Sequence, residues 1–314
     1  MTRTLTACLL AATTLSGGAA AQTIRIDGAH ILYPLMTDAV RAQPGLVADL
    51  DFSSTAEGLD RLCGGEVDIV MADRPMLDEE AGFCTETGVE AVELPIALDA
   101  VVLVANPADA WLEALTLDEV ERIWAPAAEG EVRLWSDVRP GWPQTALALY
   151  GPDQDAPASA QLAEGLFGQP LGLRADYAAM DDLDLLAQAV SREEGALAFM
   201  GFAGLLSHGD IVRALALDAG GGAVAPELSS ILDGTYPFGR LYRLYLARRA
   251  AARPQVQSFL QPLLAEMPDR AARSGLVPLP DRAYEAVARH LEDGDTTRML
   301  GTDLFDPALA GTAR

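Results

Sequence analysis

Glu66-Val67-Asp68-Ile69-Val70-Met71-Ala72-Asp73-Arg74-Pro75 contains an apolar run that stops on an acid, a cation and a proline. Val67 to Met71 has the length and composition of a buried strand. Upstream of it, Glu57 to Cys63 starts a helix, and Leu46 to Phe52 is a strand. Residues 33–43 form a helix with Leu35, Met36, Ala39 and Val40 on one face. Thr23-Ile24-Arg25-Ile26-Asp27 alternates as a strand does, and Gly28 ends it. The order is β-α-β-α-β, which gives a parallel sheet with helices on its faces. In such sheets ligands sit beyond the carboxyl ends of the strands. Three loops are thereby singled out: the one after residue 27, the one at 53–58 and the one at 72–76.

Further along, Val92 to Pro95 and Ala100 to Val104 read as two more apolar strands, the second broken by Asn106-Pro107. Thr116 and Glu119 have the spacing of a capping box, with Val120, Ile123 and Trp124 on the buried face of the helix that follows and Pro126 ending it. Ala146 to Tyr150 is a strand that feeds Gly151-Pro152-Asp153-Gln154-Asp155-Ala156-Pro157. Helices are expected at 159–166 and 182–190, a strand at 196–200 and a helix start from Gly201. The alternation Leu241-Tyr242-Arg243-Leu244-Tyr245 precedes helices at about 254–266 and 280–291. The tail from 292 is polar and is expected to lie on the surface.

The first 21 residues read as a secretory signal peptide. Arg3 is its positive end, Leu5 to Leu15 its apolar segment, and Ala19-Ala20-Ala21 its cleavage site. A membrane span would need about 20 apolar residues, more than this segment has. Residues 22–314 suffice for two domains. The formal charge of −24 argues against nucleic acid and anionic membrane as partners. It also means that an anionic ligand would need local donors. The chain has no lysine, which excludes a lysine-bearing phosphate loop, a Schiff-base enzyme and a lysine general base. Cys63 and Cys84 remain after cleavage, and an even pair in an exported chain points to a disulfide.

Several ordered segments resemble the periplasmic phosphate-binding proteins of ABC importers. They are Gly28-Ala29-His30-Ile31-Leu32-Tyr33-Pro34, the 66–75 stretch above, Leu94 to Val102 with Asn106-Pro107, and Leu115-Thr116 running to Ile123-Trp124. Gly195 to Phe202, then Gly234-Thr235-Tyr236-Pro237 and Val277-Pro278-Leu279-Pro280, complete the series. The resemblance covers nearly all of residues 22–314. It implies an α/β, two-lobed periplasmic-binding-protein fold of the type II kind, with crossing strands near 100–106 and 236–245 as a hinge. Lobe 1 would be 22–104 plus 236–314, and lobe 2 would be 105–235. It further implies a monomer in the periplasm, phosphate or a related oxyanion in the interlobe cleft, a membrane permease as partner and no cofactor.

Phosphate recognition in this family, as the resemblance implies, uses hydroxyls and backbone N–H groups at helix starts, where unpaired donors and a positive dipole end coincide. An acidic side chain can also accept the proton of monohydrogen phosphate and so reject sulfate. Asp73 falls where one branch of the family places that acid, and Ser53, Ser54 and Thr55 fall on the second loop. His30, Arg74, Asp153 and Asp155 are expected to converge on the same cleft, with Arg74 placed to offset the acids. The first loop lacks the family's hydroxyls, having Ala29, His30, Ile31 and Leu32. The loop at 153–158 lacks the family's Ser-Gly-Thr, and Pro157 removes an N–H donor. The alternatives are therefore a family member that binds a different polar solute or a cation, and a metal-dependent phosphoesterase. His30 with the carboxylates would be the start of a metal site, but Ser53, Ser54 and Thr55 have no evident base partner.

Overall fold

The computed structural model describes residues 23–168 and 172–299. The expected signal peptide at 1–21 and the end of the polar tail lie outside the described residues.

The first part of the chain alternates strand and helix. It runs β1 (Ile24–Gly28), α1 (Tyr33–Arg41), β2 (Ala48–Leu50), α2 (Thr55–Cys63), β3 (Ile69–Ala72) and α3 (Asp78–Thr87) into the long β4 (Ala91–Ala105). The middle part holds β5 (Ala114–Thr116), α4 (Leu117–Trp124), α5 (Trp135–Val138), β6 (Ala148–Gly151), α6 (Pro157–Phe167), β7 (Ala178–Ala179), α7 (Leu183–Arg192), β8 (Ala196–Gly201) and α8 (Phe202–His208). Short strands β9 (Arg213–Ala214), β10 (Ala216–Asp218) and β11 (Ala223–Val224) and helix α9 (Leu228–Leu232) lead to β12 (Gly239–Ala247). The chain then forms α10 (Arg248–Ala251), α11 (Pro254–Ala265), α12 (Met267–Arg273), β13 (Val277–Pro278) and α13 (Asp281–Asp293).

The main sheet has the order β2-β1-β3-β12-β4-β8-β6-β7. β1 is parallel to both β2 and β3, as the β-α-β-α-β reading requires. Because β2 and β3 lie on opposite sides of β1, the crevice beyond their carboxyl ends is a topological switch point. β6 is parallel to β8 and to β7 in the other wing of the sheet. The two wings are joined by β4. It pairs with β12 from Ala91 to Ala100 and with β8 from Val101 to Ala105, so it changes partner between Ala100 and Val101.

The two expected strands at 92–95 and 100–104 are therefore one strand of 15 residues. Pro95 alone would argue against that, since it cannot donate to a ladder. It sits at a register shift, where Arg243 faces Pro95 and Tyr242 faces Ala97, and bulges are where sheets tolerate proline. α3 and α12 were not evident in the sequence. α3 has few apolar residues and buries only Cys84, so its periodic signal is weak. Cys63 at the end of α2 is joined to Cys84 of α3 by a disulfide.

Two glycines fix the approach of α2 to the sheet. Gly28 closes β1 at φ 127°, and a Cβ there would lie 2.2 Å from the Met71 carbonyl oxygen. Gly58 sits in the first turns of α2, where a Cβ would lie 2.8 Å from Val70 Cγ1 and 3.0 Å from Gly28 Cα. Glycine at both positions lets the start of α2 settle against the end of β1. Beneath them, the buried Asp27 carboxylate accepts from Arg61 of α2, from Ser53 Oγ at 3.0 Å and from the Gly28 N–H at 2.7 Å.

Candidate functional site

A cleft of about 940 Å³ opens where the carboxyl ends of β1 and β3 meet β12 and α6. Its walls are Ala29, His30 and Ile31 from the first loop, Ser53 to Ala56 from the second, and Asp73 and Arg74 from the third. Gly239 and Arg240 of β12 and Ala160 and Glu164 of α6 complete it. All three loops named from the topology thus line one cavity.

Two helix starts face this space. Ser54 caps α2, its Oγ accepting from the Glu57 N–H at 3.1 Å. Thr55 and Ala56 are the first two residues of that helix, so their N–H groups have no carbonyl within it to donate to. The short 3₁₀ turn His30–Leu32 leads directly into α1, and His30 and Ile31 hold the same first-turn positions there. The dipole of each helix turns its positive end to the cleft. The first loop, which lacks the family's hydroxyls, presents the start of a 3₁₀ turn to the cleft instead.

The three second-loop hydroxyls have distinct partners. Ser53 donates to Asp27 and so braces the loop from below. The Thr55 hydroxyl donates to Asp73 Oδ1 at 2.6 Å and accepts from the Asp73 N–H at 3.0 Å. Ser54 accepts as the cap of α2 and lines the cleft. With Oδ1 held by Thr55, Asp73 Oδ2 is left as an acceptor on the cleft side, 3.7 Å from Arg240 Nη1.

The structure assigns the cations differently from the sequence reading. Arg74 lines the cleft, but its guanidinium makes a two-pronged bond to Glu80 of α3, at 2.8 and 2.6 Å. The bond to Glu80 holds Arg74 more firmly charged than usual. Burial alone would raise the Glu80 carboxyl, but Arg74 and the Leu77 N–H hold it below its ordinary value. Arg74 therefore offers the cleft no free charge. The cation that reaches the centre is Arg240, on β12, which sequence reasoning missed. Arg240 Nη2 bonds Glu164 Oε2 at 2.6 Å. Burial works to lower the Arg240 pKa, yet the bond to Glu164 and the negative charges of Glu164 and Asp73 together outweigh it, and the group stays charged. Arg240 sits in a strand otherwise dominated by apolar and aromatic residues, Leu241, Tyr242, Leu244 and Tyr245. A charged residue just inside such a strand was the available signal.

Arg240 also stands opposite Asp99 in the β12–β4 register. Asp99 lies one residue before β4 changes partner, with Oδ1 accepting from the Ala100 N–H at 2.8 Å. Burial pushes its carboxyl up to about 6, while the Ala100 N–H and the Arg240 charge partly offset the effect.

On the opposite wall the expected acids do not arrive. Asp153 and Asp155 are exposed in the loop before α6 and are not among the cleft-lining residues. The repulsion of Asp181 raises the Asp153 carboxyl, and the Asp153 N–H donates to Asp181 at 3.1 Å. Ala156 caps α6 without a side-chain bond, and Pro157 occupies its first position. Ala160 and Glu164, one turn apart, are what α6 presents instead. Among the described residues, no group of three His, Cys, Asp or Glu side chains is close enough to hold a metal ion.

A family model described as a PBP superfamily domain matches residues 13–266. Protein SphX of Synechocystis is 33% identical over 287 residues, covering 89% of this chain and 85% of that protein. The phosphate-binding protein PstS of Staphylococcus saprophyticus is 25% identical over 243 residues, covering 77% of this chain and 74% of that one. A crystal structure of a possible phosphate-binding protein from Planctomyces limnophilus superposes with a TM-score of 0.76 at 28% identity. That superposition covers 88% of this chain and 99% of the other. The chain therefore belongs to the PBP superfamily, alongside SphX and the PstS phosphate-binding proteins.

Proposed function

We propose that the protein is the extracytoplasmic phosphate-binding component of an ABC importer, with the anion held in the cleft between the two wings. The observation that carries this reading is the convergence of donors. First-turn N–H groups of His30, Ile31, Thr55 and Ala56, the Ser54 hydroxyl and Arg240 all border one cavity. Asp73 Oδ2 stands among them as the acceptor for a ligand proton. Monohydrogen phosphate has a proton to offer it and sulfate near neutral pH does not, so Asp73 would discriminate between them. Two of the proteins named above, PstS of Staphylococcus saprophyticus and the possible phosphate-binding protein of Planctomyces limnophilus, bear phosphate-binding names, which supports the same ligand.

In this reading Ser53 and Thr55 position the loop and Asp73, while His30 and Ser54 meet the anion. Arg74 supports α3 through Glu80, and Asp155 has no part in binding. The lobes divide at about 104/105 and 235/236, the chain is exported after loss of residues 1–21, and it acts as a monomer that delivers its ligand to a permease. It is a binding protein and not an enzyme. Among the described residues, no helix is long and apolar enough to cross a membrane.

Calorimetric titration of residues 22–314 with phosphate, sulfate and arsenate tests the reading. Saturable 1:1 heat with phosphate and arsenate, and none with sulfate, is expected. Absence of phosphate heat at protein concentrations well above about 1 μM, where a Kd of that size corresponds to roughly −8 kcal/mol, would contradict it.

A further inference from the structure

We propose that Glu164 is a resident competitor for the ligand: in the unliganded protein its carboxylate occupies Arg240 across the cleft, and an oxyanion must displace it to bind. This deepens the phosphate reading above and rests on it for the identity of the ligand.

Arg240 belongs to β12, but its two terminal nitrogens reach two different walls. One bonds Glu164 Oε2 of α6 at 2.6 Å, and the other lies 3.7 Å from Asp73 Oδ2 beside α2. The chain Asp73–Arg240–Glu164 therefore spans the cavity from one wing to the other. Glu164 is half exposed, at 52%, against 24% for Arg240. The carboxylate is thus free to turn into solvent, while the guanidinium is held in place by its strand. An exposed ion pair contributes little, so an incoming anion with two charges and several acceptors can replace it.

The rest of the α6 wall points the same way. The start of α6 has no side-chain cap and a proline at its first position, so it is a poor source of anion donors. What α6 does extend into the cavity is a negative charge, 2.6 Å from the cleft cation that also lies 3.7 Å from Asp73 of its own wing. Counting Asp73, Glu164 and Arg240, with Arg74 matched by Glu80, the cleft has one net negative charge before ligand enters. That charge opposes the entry of any anion until Glu164 leaves Arg240.

The test compares wild type with Glu164→Gln in two measurements: phosphate affinity by calorimetry, and the radius of gyration of the unliganded protein by small-angle scattering. Glu164→Gln is expected to bind phosphate about tenfold more tightly. Its unliganded form is expected to be more open, because the tie across the cleft is lost. Weaker or unchanged phosphate affinity in Glu164→Gln would overturn the proposal, since a carboxylate that merely orients Arg240 would help binding. If neither protein binds phosphate, the phosphate reading fails, and the scattering decides the tie by itself. A larger radius in the variant then upholds it, and an unchanged radius overturns it.

Discussion

Thr55 and Asp73 exchange two hydrogen bonds: the hydroxyl donates to Oδ1 at 2.6 Å and accepts from the Asp73 N–H at 3.0 Å. The pair joins the first residue of α2 to the residue just after β3, and so fixes the helix start against the loop that bears the acid. Thr55 is 5% exposed, which leaves its hydroxyl little freedom to do anything else. Replacing it by valine leaves one Asp73 oxygen without its donor, at a cost of about 1–3 kcal/mol. Thr55→Val should weaken phosphate binding about tenfold or more in calorimetry, with a smaller effect on the melting temperature.

Asp73→Asn changes the logic of the acceptor. An amide cannot take the ligand proton, and its NH₂ can donate to a fully ionised oxyanion. The variant should lose affinity for phosphate and gain measurable affinity for sulfate. Competition titrations with both anions check the reversal, and an unchanged preference for phosphate would remove Asp73 from the discriminating role.

Gly58→Ala tests the close approach of α2 and β1. The new methyl would meet Val70 Cγ1 at 2.8 Å and Gly28 Cα at 3.0 Å. The helix must move outward, taking Thr55 and Ala56 with it. A loss of about 1–3 kcal/mol in urea denaturation is expected from overpacking, together with weakened phosphate binding.

The disulfide between Cys63 and Cys84 has a sequence separation of 21 residues. A loop of that size corresponds to about 3 kcal/mol in the chain-entropy model. A Cys63→Ser, Cys84→Ser double variant should lose about that much stability in urea and still bind phosphate, because the bridge ties the far end of α2 and not its cleft end.

Asp99 gives a pH dependence with a definite sign. Its folded-state carboxyl is pushed up to about 6 by burial, whereas in the unfolded chain it ionises near the ordinary value of about 4. Between those values the folded state holds a proton that the unfolded state has lost, so this group's contribution falls as pH rises from about 4 to about 6 and stays low above. Asp99→Asn should remove that slope and add about 1–2 kcal/mol of stability at neutral pH. Urea denaturation of both proteins at pH 5 and pH 7.5 measures it.

The parallel β1-β2-β3 unit was legible because its apolar runs are short, separated and punctuated by Gly28 and Pro75. The same reading located the three cleft loops, because the topology alone places them. The acid and hydroxyl at Asp73 and Thr55 were legible from their positions on those loops. The partners of the arginines were not. Arg74 sits in the right loop yet turns to Glu80, six residues on, in a helix with almost no periodic signal. Arg240 lies 167 residues beyond Asp73 in sequence and meets it only because β12 returns between β3 and β4. No local pattern encodes that meeting. Asp155 does not line the cleft for the converse reason: the loop at 152–156 is close to the cleft in sequence logic, but α6 starts beyond it and presents Ala160 and Glu164 instead.

The central claim is that one cleft, with Arg240 as its ligand-binding cation, holds the phosphate. Phosphate calorimetry of wild type beside Arg240→Gln tests it most directly. The account predicts 1:1 binding by wild type and at least a tenfold loss in Arg240→Gln. Equal affinity in the two proteins, or no binding by wild type, would contradict it.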